Sequence, residues 1–509
     1  MDRQQILNDI QSFDEEISRE HLAHSVGLKD DLSITPIFNK HNHLFTKDNI
    51  KLVKILLNAS TLESTRRKNL LLFDYLVSGY IGNQLKEISE KSSAYEAKAT
   101  VKIGGKKVAF RSASMHVLNE SNRNKRQKIV DLLEPHKRAL TKYEEESLQQ
   151  EYKLLKELTG KDYTTYVSTI KGLDYDKIAN DLRQMLIDTK EIYTEHLHRI
   201  MTDMNVPLND IRKHDLGFYL RAHSFDKYFP KNKLVKTLHK TVGGMGINLT
   251  KQKNIHLDAE NRPKKVPRAF CLPLLVPEEV YLVIKPHGGQ EDYQTILHEA
   301  GHSEHFAKTR KDLAYEFKHM GAHNVSETYS FLFEYLILNP AWRKTFTPMP
   351  EAKDKQFAHF LWFQKLSFIR RYAAKVLYEL KFHRKDYRIL DDKYKPTGKK
   401  YSSPAQMYVG ILSQATLVKY NPSDYLLDMD GGYYSVDYLL AWMFEIQVRK
   451  KLEGKYGLAW FKNKKSGAFL KDLWQFGSSG LRQEELATRV GYKAVDKTYL
   501  IQEVLTGPQ

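Results

Sequence analysis

Cysteine is almost absent from this sequence. Its 509 residues include one cysteine, Cys271, which excludes an intrachain disulfide and a cysteine-ligated metal site. Long hydrophobic runs are lacking too, because no stretch of about 18 apolar residues occurs and the first ten residues hold no apolar signal-peptide core. We also find no internal repeat and no low-complexity tract. We therefore expect a soluble, cytoplasmic protein without a membrane partner.

The composition is that of a globular protein of more than one lobe. Hydrophobic residues make up 41% of the chain and charged residues 28%, a balance that excludes intrinsic disorder. At 59.4 kDa the chain exceeds what one compact core usually holds, so two or more lobes are expected.

Positive charge is in excess, with 80 Lys and Arg against 62 Asp and Glu. Basic residues are densest in residues 91–140 and 381–400, which makes a basic, helical nucleic-acid-binding protein one alternative. These segments lack Arg-Gly repeats, zinc fingers and the aromatic strand motif of RNA-recognition domains. A positive surface that attracts acidic peptides or peptide C-termini accounts for the same charge, and we favour peptides as partners.

The hydrophobic pattern predicts a mostly helical chain with a few short strands. Apolar residues recur at helical spacing in residues 1–90 and 113–250, and a β-hairpin is predicted near residues 99–112 around two glycines. Three strand-like runs follow from residue 254, separated by prolines. Residues after 338 are again helical, and the Lys-rich residues 387–403 are predicted to form a polar loop.

One motif carries chemistry: residues 295–306 read TILHEAGHSEHF. Side chains four apart lie on one face of a helix, so His298 and His302 can bind one metal ion. Glu299 follows the first ligand and can approach a water in the open position of the metal. Zinc lowers the pKa of such a water from about 15.7 toward 7.

A third protein ligand is expected for a catalytic zinc ion, and it should follow the motif. The metzincin pattern is excluded, because His305 and Lys308 stand where it needs a glycine and a histidine. Residues 324–336, NVSETYSFLFEYL, predict a second buried helix that bears Glu327, with Glu334 on the same stripe. Glu327 could instead be an early-turn acid favoured by the helix dipole, in which case His305 is the next candidate ligand.

HEAGH followed by a Glu, a Ser three residues later and a second Glu seven later resembles the thimet oligopeptidase and oligoendopeptidase F family of zinc peptidases. The approach to the motif agrees, with RAFC at residues 268–271, Gly288-Gly289 and Asp292. Carboxypeptidase Taq is a more distant relative in pattern. The resemblance implies that His298, His302 and Glu327 bind one Zn²⁺ and that Glu299 is the general base.

A tyrosine segment, residues 428–439 with the sequence DMDGGYYSVDYL, resembles the C-terminal Gly- and Tyr-rich motif of that family. There the motif places a phenol near the scissile carbonyl. Aligned on the two glycines, only Tyr433 keeps its place, and Asp428 stands where a histidine is expected. We predict Tyr433 as the catalytic oxyanion donor and Tyr434 and Tyr438 as substrate-binding residues.

Together these features predict a mostly α, two-lobed metallopeptidase with a deep cleft and a small β-sheet beside the HEAGH helix. We expect a helical N-terminal lobe in residues 1–250, a catalytic core in 251–345 and a C-terminal helical lobe in 346–509. The expected reaction is zinc-dependent hydrolysis of short peptides, with metal-bound water as nucleophile and Glu299 as base. A metallocarboxypeptidase of the Taq type is the alternative enzyme, although its D-x-R-x-T signature is not found.

Overall fold

Helices make up most of the chain, which confirms the predicted fold class. The computed structural model describes residues 1–29 and 31–507. The helices before the HEAGH motif are α1 Arg3–Ser25, α2 Thr35–Lys40, α3 Lys47–Asn58, α4 Glu63–Lys98, α5 Phe110–Asn119, α6 Arg123–Thr159, α7 Tyr163–Lys171, α8 Tyr175–Asp188, α9 Lys190–Asp203, α10 Lys213–Leu220 and α11 Leu234–Gly244.

The helices from the motif onward are α12 Gln290–Ala307, α13 Tyr315–His319, α14 Asn324–Glu334, α15 Pro340–Phe346, α16 Glu351–His383, α17 Pro404–Thr416, α18 Tyr434–Tyr456, α19 Lys464–Trp474, α20 Gln483–Val490 and α21 Lys497–Thr506. Within the described residues, no helix is both long and apolar enough to cross a membrane.

Local sequence sets many of the helix ends. At the start of α7, for example, the Asp162 side chain accepts a hydrogen bond from the Thr165 backbone N–H at 2.9 Å. Gly172 ends the same helix in the left-handed conformation, with φ of 65°. An acidic N-cap and a C-terminal glycine are the usual stop signals of a helix, so this one can be read from the sequence alone.

A three-stranded sheet precedes the helix that carries the HEAGH motif, as predicted. Its strands are β3 Ile255–Asp258, β4 Phe270–Leu275 and β5 Glu279–Val283, in the order β3-β5-β4. β5 runs parallel to β3 and antiparallel to β4, so β4 is an edge strand. Cys271 pairs with Leu282 in this register, and both β4 and β5 pack against α12.

Two hairpins lie outside that sheet. β1 Thr100–Ile103 and β2 Lys106–Ala109 form the hairpin predicted near residues 99–112. The prediction of a loop across residues 387–403 was wrong, because β6 Arg388–Leu390 and β7 Pro396–Lys400 pair antiparallel there. β7 is almost entirely exposed, so its residues lack the apolar alternation by which a strand is recognised.

Two large hydrophobic cores hold these elements together. The first unites the N-terminal helices with parts of α14, α16, α17 and α18, and the second surrounds the sheet and α12. Helices α14, α16 and α18 contribute to both cores. Each core also draws on all three predicted segments, so the division at residues 250 and 345 stays a prediction.

Candidate metal centre

The start of α12 is held in place by its flanking loop. The Asp292 carboxylate accepts hydrogen bonds from the backbone N–H groups of His287 and Gly288, at 2.7 and 2.6 Å. Gly289 has φ of 99°, and a Cβ there would lie 2.5 Å from Asp226 Oδ1. Only glycine fits this position without strain, so the loop can pack closely at the start of α12.

Helices α12 and α14 meet at close range through Gly301. A Cβ at this position would lie 2.4 Å from the carbonyl oxygen of Tyr329, a backbone atom that cannot swing aside. The absence of a side chain therefore lets the two helix backbones touch. This contact brings Glu327 of α14 opposite the histidines of α12.

Three potential ligand atoms converge between these helices. Glu327 Oε2 lies 3.4 Å from His298 Nε2 and 3.6 Å from His302 Nε2. Donor atoms of the three residues all lie within 4.8 Å of one another. The side chains of His298 and His302 remain 17% and 15% exposed, whereas that of Glu327 is 4% exposed. The cluster is thus buried on the Glu327 side and open to solvent on the histidine side.

The donor set fits a zinc ion. Glu327 Oε2 is buried and has no hydrogen-bond partner among the described residues. A buried carboxylate charge is costly without positive charge beside it, and a cation held together with the two imidazoles would supply that charge. Two imidazole nitrogens and one carboxylate oxygen form a usual protein ligand set for catalytic zinc.

Each ligand is also held by a neighbour through its second polar atom. His298 Nδ1 lies 2.8 Å from Glu334 Oε2, and His302 Nδ1 lies 2.6 Å from Ser326 Oγ. Such contacts fix the tautomer and direct Nε2 toward a metal. The sequence placed Glu334 on the right helix stripe without giving it a role. Nothing in the sequence singled out Ser326.

The Glu327 carboxylate and the histidine imidazoles shift one another's pKa values. Burial would raise the pKa of Glu327, but the imidazoles of His302 and His298 outweigh it and hold the pKa well below its usual range. Burial would lower the pKa of His298, yet the Glu327 and Glu334 carboxylates raise it well above its usual value. A fixed negative charge between two nitrogens suits the binding of a cation.

Glu299 is half-buried on α12, beside the strand that carries Cys271. The Cys271 thiol accepts a hydrogen bond from Ser303 Oγ at 3.3 Å. Burial raises the pKa of this thiol, and the charge of Glu299 acts in the same direction. Cys271 therefore stays protonated, with the charge of Glu299 in its neighbourhood.

His305, the alternative third ligand, points into the core. Both of its ring nitrogens are buried without a partner among the described residues, and its ring packs 4.9 Å from that of Tyr329. Burial lowers its pKa to about 3. It lies outside the cluster formed by the other two histidines and Glu327.

The three tyrosines of the tyrosine segment have different surroundings. Tyr434 donates a hydrogen bond to Glu327 Oε1 at 2.6 Å. Tyr438 is half-buried, and its ring lies 4.9 Å from that of Tyr434. Tyr433 has no exposed surface, and its hydroxyl shares a 2.7 Å hydrogen bond with Thr164. Tyr433 as oxyanion donor stays a prediction, but this geometry disfavours it, because a fully buried phenol cannot meet a substrate.

Known proteins are similar to this chain in structure but not detectably in sequence. No protein-family model matches the sequence, and no curated protein matches it. A Bacillus anthracis str. Ames protein assigned as an oligoendopeptidase F is similar over 96% of this chain and 87% of its own, with 15% identity and a TM-score of 0.64. A second protein assigned as an oligoendopeptidase F gives 13% identity and a TM-score of 0.67 over 97% of this chain and 89% of its own.

PZ peptidase A, solved with an inhibitor, is similar over 97% of this chain and 90% of its own, with 12% identity and a TM-score of 0.69. The chain therefore has the fold of these peptidases along nearly its whole length. This confirms, for the fold, the resemblance inferred from the HEAGH motif. At such low identity the likeness establishes the architecture and leaves the reaction to the chemistry of the site.

Proposed function

We propose that this protein is a zinc-dependent peptidase that hydrolyses short peptides. The observation that carries the proposal is the convergence of His298 Nε2, His302 Nε2 and the otherwise unpaired Glu327 Oε2. The names of the structural neighbours, oligoendopeptidase F and PZ peptidase A, support the same reaction class. Family membership with those peptidases is part of this proposal.

The ligand set would hold zinc with a position open to solvent. When bound by these residues, zinc would supply an activated water, its pKa lowered from about 15.7 to about 7, and would polarise a carbonyl group. Glu299, next to His298, would accept the proton that the attacking water loses. It then passes this proton to the leaving nitrogen of the cleaved amide.

A phenol would stabilise the oxyanion, and the geometry supports Tyr438 for this role over the predicted Tyr433. Tyr438 is half-buried, and among the described residues its hydroxyl has no hydrogen-bond partner. Tyr434 already uses its hydroxyl to hold Glu327. We therefore propose that Tyr434 positions Glu327 as a metal ligand and that Tyr438 donates a hydrogen bond to the oxyanion of the substrate.

Metal analysis combined with kinetics tests the assignment of ligands and base. Glu327→Ala and His298→Ala should lose bound zinc, whereas Glu299→Gln should keep zinc and lose turnover by orders of magnitude. Glu291→Gln, an exposed change in the first turn of the same helix, is the matched control. Full zinc occupancy in Glu327→Ala would contradict the third-ligand assignment.

Product analysis tests the kind of peptidase. Mass spectrometry of a peptide library after incubation should show cleavage inside short peptides. Removal of single C-terminal residues alone would support the metallocarboxypeptidase alternative. Tight, salt-sensitive DNA or RNA binding without peptide cleavage would favour the nucleic-acid-binding alternative.

A further inference from the structure

Most cations around the tyrosine segment are already used within the protein. Three pairs join a cation to an acid of this segment: Arg371 with Asp428, Lys375 with Asp430 at 2.7 Å, and Lys171 with Asp437 at 2.9 Å. Arg370 is 1% exposed and donates to the backbone carbonyls of Leu186 and Ala415. None of these side chains is free to bind a substrate anion.

Arg268 differs from them. It is exposed, and no carboxylate in the described part of the chain forms an ion pair with it. It lies two residues before β4, the edge strand that contacts α12 through Cys271 and Ser303. Three residues of extended chain span at most about 10 Å, so Arg268 stays close to the metal-binding helix.

Tyr372 and Tyr438 both lie within electrostatic range of Arg268. Burial raises the pKa of Tyr372 and of Tyr438, and the positive charge of Arg268 opposes this rise in both. The rings of these tyrosines lie 5.3 Å apart, and Tyr438 in turn packs against Tyr434. Tyr372 of α16 therefore contacts Tyr438 of α18, which adjoins Glu327 through Tyr434. Arg268, two residues before β4, lies within electrostatic range of both phenols.

We propose that Arg268 is a specificity-determining residue that binds a carboxylate of the peptide substrate. The inference rests on the proposed peptidase function and adds a substrate class to it. An unpaired guanidinium with five donors in a planar fork binds carboxylates in a bidentate manner. The carboxylate is either the free C-terminus of a short peptide or the side chain of an Asp or Glu close to the scissile bond.

Matched peptide pairs test this inference. One pair differs in a free-acid or amidated C-terminus, and the other in Glu or Gln at one internal position. Arg268→Gln should lower kcat/KM about tenfold for the acidic member of the responsive pair, the size expected of a partly solvated charge-assisted contact. The neutral member should change less than twofold, with zinc content unaltered. Arg268→Lys should retain part of the preference, because it keeps the charge and loses the fork.

Arg138→Gln is the matched control for the loss of one positive charge. Arg138 is exposed on α6, a helix that packs against α4 and α5. It should leave the acid-to-neutral ratio unchanged for both pairs. A response confined to the first pair identifies the C-terminus as the bound group, and a response confined to the second identifies an acidic side chain.

Two results would overturn the inference in distinguishable ways. Wild-type cleavage of both pairs, with Arg268→Gln changing acidic and neutral members equally, would reject Arg268 as a specificity residue and leave the peptidase function intact. A zinc-loaded wild-type protein that cleaves no member of either pair would overturn the proposed function and this inference with it.

Discussion

Substitution of Glu334 would show how much the hydrogen bond to His298 Nδ1 contributes to metal binding. Its Oε2 lies 2.8 Å from His298 Nδ1, and its side chain is 21% exposed, so the contact is only partly open to water. Removing it with Glu334→Ala frees the imidazole to rotate and withdraws a negative charge that favours the metal. Loss of such a contact typically weakens metal binding about 10- to 100-fold, or about 1.4 to 2.7 kcal/mol.

The dissociation constant for zinc, measured by competition with a chromophoric chelator, is the assay. Glu334→Gln should fall between wild type and Glu334→Ala, because it keeps a hydrogen-bond acceptor without the charge. Glu146→Ala, an exposed change on α6, is the control and should not alter zinc affinity. Circular dichroism reports whether the variants fold. A folded Glu334→Ala protein with wild-type zinc affinity would refute the reasoning.

Three other predictions follow from specific contacts. Gly301→Ala places a Cβ 2.4 Å from the Tyr329 carbonyl oxygen, so α12 and α14 must move apart. We expect the variant to lose about 1–3 kcal/mol of stability and to bind less zinc. An unchanged Tm and zinc content would contradict the close packing of the two helices. Tyr438→Phe should lower kcat by about 10²–10³ with little change in KM, whereas Tyr433→Phe should not, and the reverse order would restore Tyr433 as the donor. Burial raises the pKa of Glu379 to about 8 from 4.5, so between these values the folded state keeps a proton that the unfolded state loses. The free energy of unfolding should therefore fall by up to about 1.4 kcal/mol per pH unit between about pH 5 and 8. Glu379→Gln should flatten that decline in urea unfolding, and an equally steep decline in the variant would argue against it.

The pairing of the two histidines in the HEAGH motif could be predicted because its geometry is local. His298 and His302 lie on one face of any helix that contains both, whatever surrounds it. Glu327 is 25 residues further along on another helix, so the pattern made it a candidate with His305 as the alternative, and the resemblance to a peptidase family favoured it. The structure brings its carboxylate to the histidines only because Gly301 lets the two helices touch.

The orientation of the side chains in the tyrosine segment could not be predicted from the sequence. Tyr433, Tyr434 and Tyr438 are close in sequence and equal in chemistry, and alignment on the two glycines favoured the first. In the structure Tyr433 has φ of 53° at the start of α18, and its side chain turns into the core toward Thr164. The side on which each phenol lies depends on that backbone turn, which no residue spacing reveals.

Sequence alone determined the mostly helical class, the three strands before the motif and the pair of histidines, since each depends on periodicity or spacing within a few turns of chain. Tertiary structure alone decided how the cores combine segments distant in sequence, which hydroxyl reaches Glu327, and that Arg268 has no ion pair within the described residues. Arg268, Arg370 and Arg371 are equivalent as letters in a sequence. Their roles differ because the fold supplies backbone carbonyls to Arg370, a carboxylate to Arg371 and open space to Arg268.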